Sequence, residues 1–451
     1  MRSSILFLLL LFIAGHGVTE VYAQRQYQFE ELNRRDFIPE AFMSVFPGVT
    51  DRDGNANASA VFRIRNDQLD YRSIPASQRQ SEDERFASSV RINFEVYRAE
   101  DGERTGSPVQ RERWEKRATT TEYDHTRSKT RSVEASQSFQ LDPGSYILRA
   151  LAYSNDRQKG TFTRRFEIKE DPNEYDRVIL ASPDENQDRK RLVNLGNNSR
   201  FGEGVTAWAS LPDENSEYRI VLDRMRIRDT DTTRVEQILD ETLNTAEVYS
   251  HIQPVISTED NTPYLSLESG GEQTLGRIHV PKNSLSNNHF RLRIFDTDGE
   301  EETRITEYNW YNLWVDMPVS LLNVDFAINK LRFMVSDSEL SQLRQGNREE
   351  RERNFLEFWT EKDSTAETSN NSLMAEYYRR VDEAYDRFTT PQTKGFDSDQ
   401  GRIFITMGEP EDINRQFPSN GPTREIWEYE DETYIFEATT GFGDYVLVET
   451  R

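Results

Sequence analysis

The sequence predicts a multidomain chain: two mainly-β, sandwich-like (Ig/FnIII-like) modules followed by an α+β C-terminal domain. Three observations carry this. The stretches 24–172 and 173–318 alternate apolar and polar residues between turns rich in Pro, Gly and Asp. From Leu321 the apolar period changes from two to 3.6, the signature of helices. The length of 451 residues suits about three domains.

Residues 1–23 read as a secretory signal. Arg2 supplies the charged start, Ile5 to Ala14 the apolar core, and Val21-Tyr22-Ala23 a small-residue exit, so the mature chain is expected to begin at Gln24. The apolar core is too short to span a bilayer comfortably, which favours a cleaved signal over the rival reading, an uncleaved anchor. No transmembrane span is expected after the signal is removed, because the most apolar later stretch, Tyr308 to Val324, is broken by Asp316 and Pro318. The chain has no cysteine, which excludes disulfides, thiolate metal sites and a lipid-modified cysteine start. Its net charge of −24 repels nucleic acid and anionic lipid, so neither is an expected partner. Mean hydropathy is −0.83, a very polar chain.

In the first module, Val90 to Val96 alternates as a half-buried strand must. Leu141-Asp142-Pro143-Gly144 forms a tight turn that launches a second run, Tyr146, Leu148, Ala150 and Ala152. Ser154 to Gly160 reads as a polar hairpin loop, with Thr161 to Ile168 returning. Arg111 to Arg131 is charged and Thr-rich, a long loop or an edge hairpin. In the second module, Tyr218 to Leu222 and Met225 to Ile227 suggest a central strand. Phe290 to Phe295 climbs, Asp296-Thr297-Asp298-Gly299 turns, and Thr303 to Trp310 descends. The closing hairpins of the two modules resemble each other, through an internal duplication or because sandwiches commonly end this way.

In the third unit, 319–451, Leu322, Phe326, Ile328, Leu331 and Val335 share a helical face. Ser336-Asp337-Ser338-Glu339 is a cap signal for a short helix ending near Gly346. Arg348 to Thr360 is a charged helix burying Phe355, Phe358 and Trp359. Another helix carries Leu373, Tyr377, Val381, Ala384, Tyr385 and Phe388, capped between Thr368 and Ser372. Strands are expected at Arg402–Met407, Glu425–Tyr429, Tyr434–Glu437 and Tyr445–Val448.

Several pieces of this unit form an ordered set: Phe358-Trp359, Asp363, Thr368, Asn371, Arg380-Val381, Gly395-Phe396-Asp397-Ser398-Asp399, Gly401-Arg402 and Gly408-Glu409-Pro410. In this the last 120 or so residues resemble the GWxTD domain, a module of bacterial exported proteins with no agreed activity. Trp427 and Tyr429 fit the family's later strand. Phe396 stands where the family has Trp, and Ser398 where it has Thr. The resemblance implies an exported component of a bacterial cell envelope, periplasmic, associated with the outer membrane or secreted, with β-sandwich regions ahead of the signature domain. It implies no reaction.

The signature permits two chemical readings. As scaffold, Gly395 and Gly401 take backbone angles that other residues resist, Ser398 and Asp399 accept local N–H bonds, and Asp399 pairs with Arg380 or Arg402. As a site, Asp363, Asn371, Arg380, Asp399 and Arg402 face a cleft. There Asp363 and Asp399 would be the acid and base of a glycosidase-like hydrolase acting on a polysaccharide, or the arginines would grip a carboxylate. No metal is expected: His125, His251, His279 and His289 form no metal-binding pattern. Asp51 to Asn57 begins like a calcium loop but has Ala56 at the glycine position and Phe62 in place of the bidentate acid. No cofactor fingerprint and no nucleophile elbow is present. Trp310 and Trp314 are expected in the core. The leading expectation is a non-enzymatic binding or scaffold protein whose C-terminal domain engages an envelope protein or polysaccharide. Oligomeric state is left open.

Overall fold

The structure is a computed structural model. It describes residues 39–48, 56–79, 81, 84–170, 178–183, 189–193, 195–228, 231–299, 301–363, 371–439 and 443–451. The expected signal, residues 51–55 of the calcium-like turn and Thr368 lie outside the described residues. The chain divides into two compact units, Ile38–Asp316 and the C-terminal unit from Met317 to Arg451.

The first unit opens with eight strands: β1 (Ala41–Pro47), β2 (Ala56–Arg65), β3 (Arg72–Ser73), β4 (Phe86–Glu100), β5 (Glu103–Thr120), β6 (Ser132–Leu141), β7 (Gly144–Ser154) and β8 (Arg157–Ile168). They form a sandwich. One sheet runs β1-β2-β6 and the other β5-β4-β7-β8, with β3 paired to the start of β4. Val90, Ile92, Phe94 and Val96 are all buried against Phe62, Phe139 and Leu148 of the same core. This is the alternation legible in the sequence, one face of a strand against the facing sheet. Tyr146 packs at the head of β7 and its hydroxyl donates to the Asp142 carbonyl at 2.8 Å. Of the two options for Arg111 to Arg131, the edge strand holds, since β5 continues to Thr120 before one helical turn, Tyr123–Thr126. The expected loop from Ser154 to Gly160 shrinks to Asn155-Asp156. Both residues have positive φ (46° and 66°), as a two-residue hairpin turn requires.

Eleven further strands follow: β9 (Val178–Ala181), β10 (Arg189–Arg191), β11 (Ser199–Arg200), β12 (Val205–Leu211), β13 (Tyr218–Arg228), β14 (Asp231–Thr242), β15 (Val248–Glu259), β16 (Thr262–Ser269), β17 (Gln273–Val280), β18 (His289–Asp296) and β19 (Thr303–Leu313). The sheets run β10-β16-β15-β17-β12-β9 and β11-β19-β18-β13-β14. Set aside the β15–β16 hairpin and short β10 and β11, and the orders become β9-β12-β17 and β14-β13-β18-β19. That is the order of the first sandwich, so the recurring final hairpin belongs to a repeated strand plan. Trp310 and Trp314 are buried as expected. The two sandwiches share a cluster in which Phe46 and Val61 meet Ile179, Trp208 and Leu265.

The C-terminal unit contains α1 (Val324–Lys330), α2 (Asp337–Leu343), α3 (Arg348–Lys362), α4 (Ser372–Phe388) and α5 (Asp399–Met407). An antiparallel sheet follows in sequential order: β20 (Asp412–Gln416), β21 (Arg424–Glu428), β22 (Thr433–Ala438) and β23 (Tyr445–Thr450). Ser336 caps α2 in a reciprocal box with Glu339, and Asn371 is the cap of α4. Three expectations fail: Leu322 and Val335 lie outside α1, Phe358 is only half-buried, and Arg402–Met407 is helix, not strand. Ile403-Phe404-Ile405 looks β-prone, but Ser398 caps a helix and Ile403 and Phe404 are buried.

Candidate functional site

The signature segment crosses α4 and opens α5. Gly395 starts a 3-10 turn, Gly395–Asp397, and Ser398 is the N-cap of α5. The Ser398 Oγ donates to the Gly395 carbonyl at 2.7 Å and accepts from the Gly401 N–H at 3.0 Å. The Gly395 N–H donates to the Thr389 hydroxyl at 2.9 Å.

The glycines are required for a reason other than the expected one. Neither Gly395 nor Gly401 has a positive φ. A Cβ on Gly395 would sit 1.9 Å from the Ala384 carbonyl of α4, and one on Gly401 would sit 1.7 Å from the Gly395 carbonyl. Three backbone segments therefore stack with no room for a side chain, and close approach replaces conformational freedom as the constraint. Gly408 is different, since it has φ 89° and lies against the Arg380 guanidinium, 3.0 Å from where a Cβ would be. The Gly408 carbonyl accepts from the Tyr429 hydroxyl at 2.8 Å, and Pro410 is buried.

The acidic residues are used inside the unit. Asp397 accepts from Lys330 Nζ at 2.8 Å and from Arg332 at 2.6 Å. Lys330 is 6 % exposed. Its ammonium lies 3.4 Å from the centroid of the Phe396 ring, which also packs on Phe326 and Tyr385. Burial pulls the Lys330 pKa down to about 8, although the Asp397 charge opposes the fall. The socket of Phe396 is thus aromatic with a cation on one face, not purely apolar.

Asp399 Oδ2 accepts the backbone N–H of Leu447 at 2.9 Å, and its other oxygen lies 3.5 Å from Arg402. Of the two arginines expected to pair with Asp399, Arg402 does, while Arg380 bonds Glu376 at 2.8 Å. The carboxylate therefore joins the start of α5 to β23, at the outer side of the sheet's last strand.

The remaining family positions serve other joints. Trp359 is buried among Phe355, Phe358, Tyr377 and Tyr378. Its carbonyl accepts from Asn371 Nδ2 at 2.6 Å, while Asn371 Oδ1 caps α4 through the Met374 N–H at 2.7 Å. Asp363 is the C-cap of α3, its N–H bonded to the Trp359 carbonyl at 3.1 Å. Asn371 and Arg380 are nine residues apart along α4, about 14 Å at 1.5 Å per residue. So the five polar residues expected around one cleft are divided: Asp363 and Asn371 at the α3–α4 junction, Arg380 over Gly408, Asp399 and Arg402 beside β23.

Sequence reasoning missed Lys330, Arg332 and Asp382. Lys330 left a trace, a cation one turn after Phe326 within an otherwise apolar helical face. Asp382 clasps the segment leading into α1, accepting the Val319 and Ser320 N–H groups at 2.5 and 3.1 Å. Burial raises its pKa to about 6, against the pull of those bonds. Among the described residues no group of three or more His, Asp or Glu is placed to hold a metal, and no helix is long and apolar enough to cross a membrane.

The structure defines a β-sandwich protein that ends in an α+β unit organised around a glycine-rich helix joint. Residues 320–445 match the model of the GWxTD domain, so the chain contains that domain, and the joint lies within the matched span. No curated protein matches the chain. Among solved structures it is similar to red sea bream transglutaminase (6 % identity, 64 % of this chain and 33 % of that one, TM-score 0.19). It is also similar to the C-terminal domain of the Streptococcus pyogenes antigen I/II-family protein AspA (10 % identity, 60 % of this chain and 100 % of that one, TM-score 0.16). The chain spans about a third of the transglutaminase. At these scores neither likeness bears on fold or activity.

Proposed function

We propose that this is an exported, non-enzymatic binding or scaffold protein of a bacterial cell envelope. Two FnIII-like modules carry a C-terminal GWxTD domain that engages an envelope partner. The observation that carries the non-enzymatic reading is the use of the signature's polar groups. Asp397, Ser398 and Asp399 each satisfy a partner within the unit, and Asp399 spends an oxygen on the Leu447 amide. A catalytic carboxylate needs that oxygen for substrate or water. The FnIII-like assignment is supported by the repeated three-plus-four strand plan and by Tyr146, whose hydroxyl bonds back four residues in the manner of a tyrosine corner. Export is supported by the Arg2, Ile5–Ala14 and Val21-Tyr22-Ala23 pattern and by a chain without cysteine.

Asp399→Asn tests the reading. An amide presents one acceptor oxygen and no charge, so the β23 joint weakens by about 1–3 kcal/mol. Hydrogen exchange at the Leu447 amide should speed accordingly. Faster exchange together with no hydrolysis of envelope polysaccharide by the wild type supports the scaffold. Unchanged exchange, with polysaccharide cleavage abolished by the substitution, refutes it.

A further inference from the structure

Although the chain's net charge is −24, one cavity is lined by four cationic and two anionic side chains. It lies in the first sandwich, where edge strand β5 of one sheet approaches edge strand β6 of the other. The turn Asp260-Asn261-Thr262, from the β15–β16 hairpin of the second sandwich, closes one end. Asp260 and Asn261 hold positive φ (47° and 65°), and Asn261 Oδ1 accepts from the Ser136 hydroxyl at 3.3 Å. The volume is about 670 Å³, within the roughly 300–1,000 Å³ typical of small-molecule sites.

Arg63, Lys116, Arg117 and Arg131 line this space, against Glu134 and Asp260. Arg63 pairs with Glu134, and Arg117 lies 3.6 Å from Glu84. Among the described residues, no carboxylate pairs with Lys116 or Arg131. Two buried groups of opposite sense stand beside them. Arg63 Nε is a donor without an acceptor, and Asn66 Oδ1 an acceptor without a donor. Asn66 is only 7 % exposed, and its amide nitrogen is fixed to the His125 carbonyl at 2.9 Å. Its oxygen is therefore held in place. A buried polar atom left this way costs about 1–3 kcal/mol, which a suitable ligand atom recovers.

We propose that this cavity binds an anionic sugar, a uronate residue of an acidic oligosaccharide. The carboxylate takes the Lys116 and Arg131 charges. Both orphan atoms are closed off from solvent, so ring hydroxyls donate to Asn66 Oδ1 and accept from Arg63 Nε once the neighbouring side chains are displaced. A hydroxyl does both, which suits orphan groups of both senses. A phosphomonoester dianion offers acceptors only and leaves Asn66 unserved. An acidic peptide added as a strand is disfavoured because charged side chains along β5 protect that edge. The global negative charge does not forbid the site, since screening at about 8 Å in physiological salt leaves the nearest cations dominant. The proposal concerns the first sandwich and is independent of the role of the C-terminal unit.

Isothermal titration of the full chain at pH 8 with trigalacturonate tests it, beside galactotriose, methyl phosphate and a hexaglutamate peptide. Trigalacturonate should bind, and the other three at least tenfold more weakly. Lys116→Glu with Arg131→Glu should weaken trigalacturonate tenfold or more with an unchanged melting temperature, because both side chains are exposed. Lys116→Gln alone should weaken it severalfold, and Lys282→Glu, on the second sandwich, should leave it unaltered. Absence of trigalacturonate binding, equal binding by the doubly substituted chain, or equal affinity for galactotriose, methyl phosphate or hexaglutamate overturns the assignment.

Discussion

Lys330→Met should stabilise the C-terminal unit at pH 7, although it removes an ion pair. The fall of the Lys330 pKa from 10.5 to about 8 corresponds to about 3 kcal/mol of net cost for keeping the buried ammonium charged. This cost already includes the attraction of Asp397. Methionine removes it and fills a similar volume. It also forfeits the cation–π contact with Phe396, about 0.5–2 kcal/mol. Asp397 keeps Arg332 at 2.6 Å, so no carboxylate is stranded. The expected balance is a gain of about 1–2 kcal/mol. Asp397→Asn does the opposite, leaving a buried ammonium without its counter-charge at a loss of about 3 kcal/mol or more. The pH dependence separates burial from mere packing. Below pH 8 both folded and unfolded chains hold the Lys330 proton and the cost is constant. Between pH 8 and 10.5 the unfolded chain binds more protons than the folded one, so the wild type gains stability relative to Lys330→Met as pH rises. Hydrogen exchange of α4 and α5 amides in the intact chain reads this local free energy from pH 7 upward. A loss on Lys330→Met at pH 7, with a constant difference from wild type through pH 8–10.5, refutes the reasoning.

Gly401→Ala should unfold the joint, since its Cβ would meet the Gly395 carbonyl at 1.7 Å. Gly106→Ala should cost only the left-handed backbone strain of about 1–2 kcal/mol, because nothing lies within 4 Å of its Cβ; paired thermal melts with hydrogen exchange distinguish the two. Asp382, raised from 3.8 to about 6, should make the wild type lose up to about 3 kcal/mol relative to Asp382→Asn as pH rises from 4 to 6. There the folded chain binds more protons than the unfolded one. Exchange rates in the Val319–Leu322 turn report this, and a pH-independent difference contradicts it. Ser398→Ala should cost about 1–2 kcal/mol through loss of the α5 cap, and Ser398→Thr should leave the α5 exchange rates close to wild type.

The sandwiches were legible because each central strand buries one face. Val90, Ile92, Phe94 and Val96 are fully buried, and no local rule competes with that alternation. Caps were legible for the same reason: Ser336 and Asn371 act on amides within three residues. The C-terminal unit was less so where tertiary contact decides. Ile403-Phe404-Ile405 reads as strand locally, yet the Ser398 cap and the backbone stack at Gly401 commit it to helix. Lys330 and Asp397 are 67 positions apart, and Asp399 and Leu447 are 48. Neither separation has a period that a sequence pattern could display. The cavity between β5 and β6 was hidden likewise, because its walls come from Arg63, Lys116 and Arg131 and its end from a turn near position 260.

The joint's geometry accommodates Phe396 and Ser398, the two positions at which the expected signature has Trp and Thr. Ser398 uses only its Oγ, donating to one carbonyl and accepting from one amide, so a threonine methyl is not part of either bond. Phe396 presents a ring face to the Lys330 ammonium, and any aromatic ring supplies that face. An indole N–H has no role in that contact. Phe396→Trp should therefore retain the joint, with any loss arising from fitting the larger ring beside Phe326 and Tyr385. Phe396→Leu should cost about 2 kcal/mol or more, because it removes ring volume and the nearer of the two ring faces at the cation, leaving Phe326 at 5.1 Å. It should also widen the pH 8–10.5 stability rise, since Lys330 loses a partner for its charge while remaining buried. Equal stability of the Leu and wild-type chains, or an unchanged pH rise, would show that the ring acts as filler and that the cation contact is incidental.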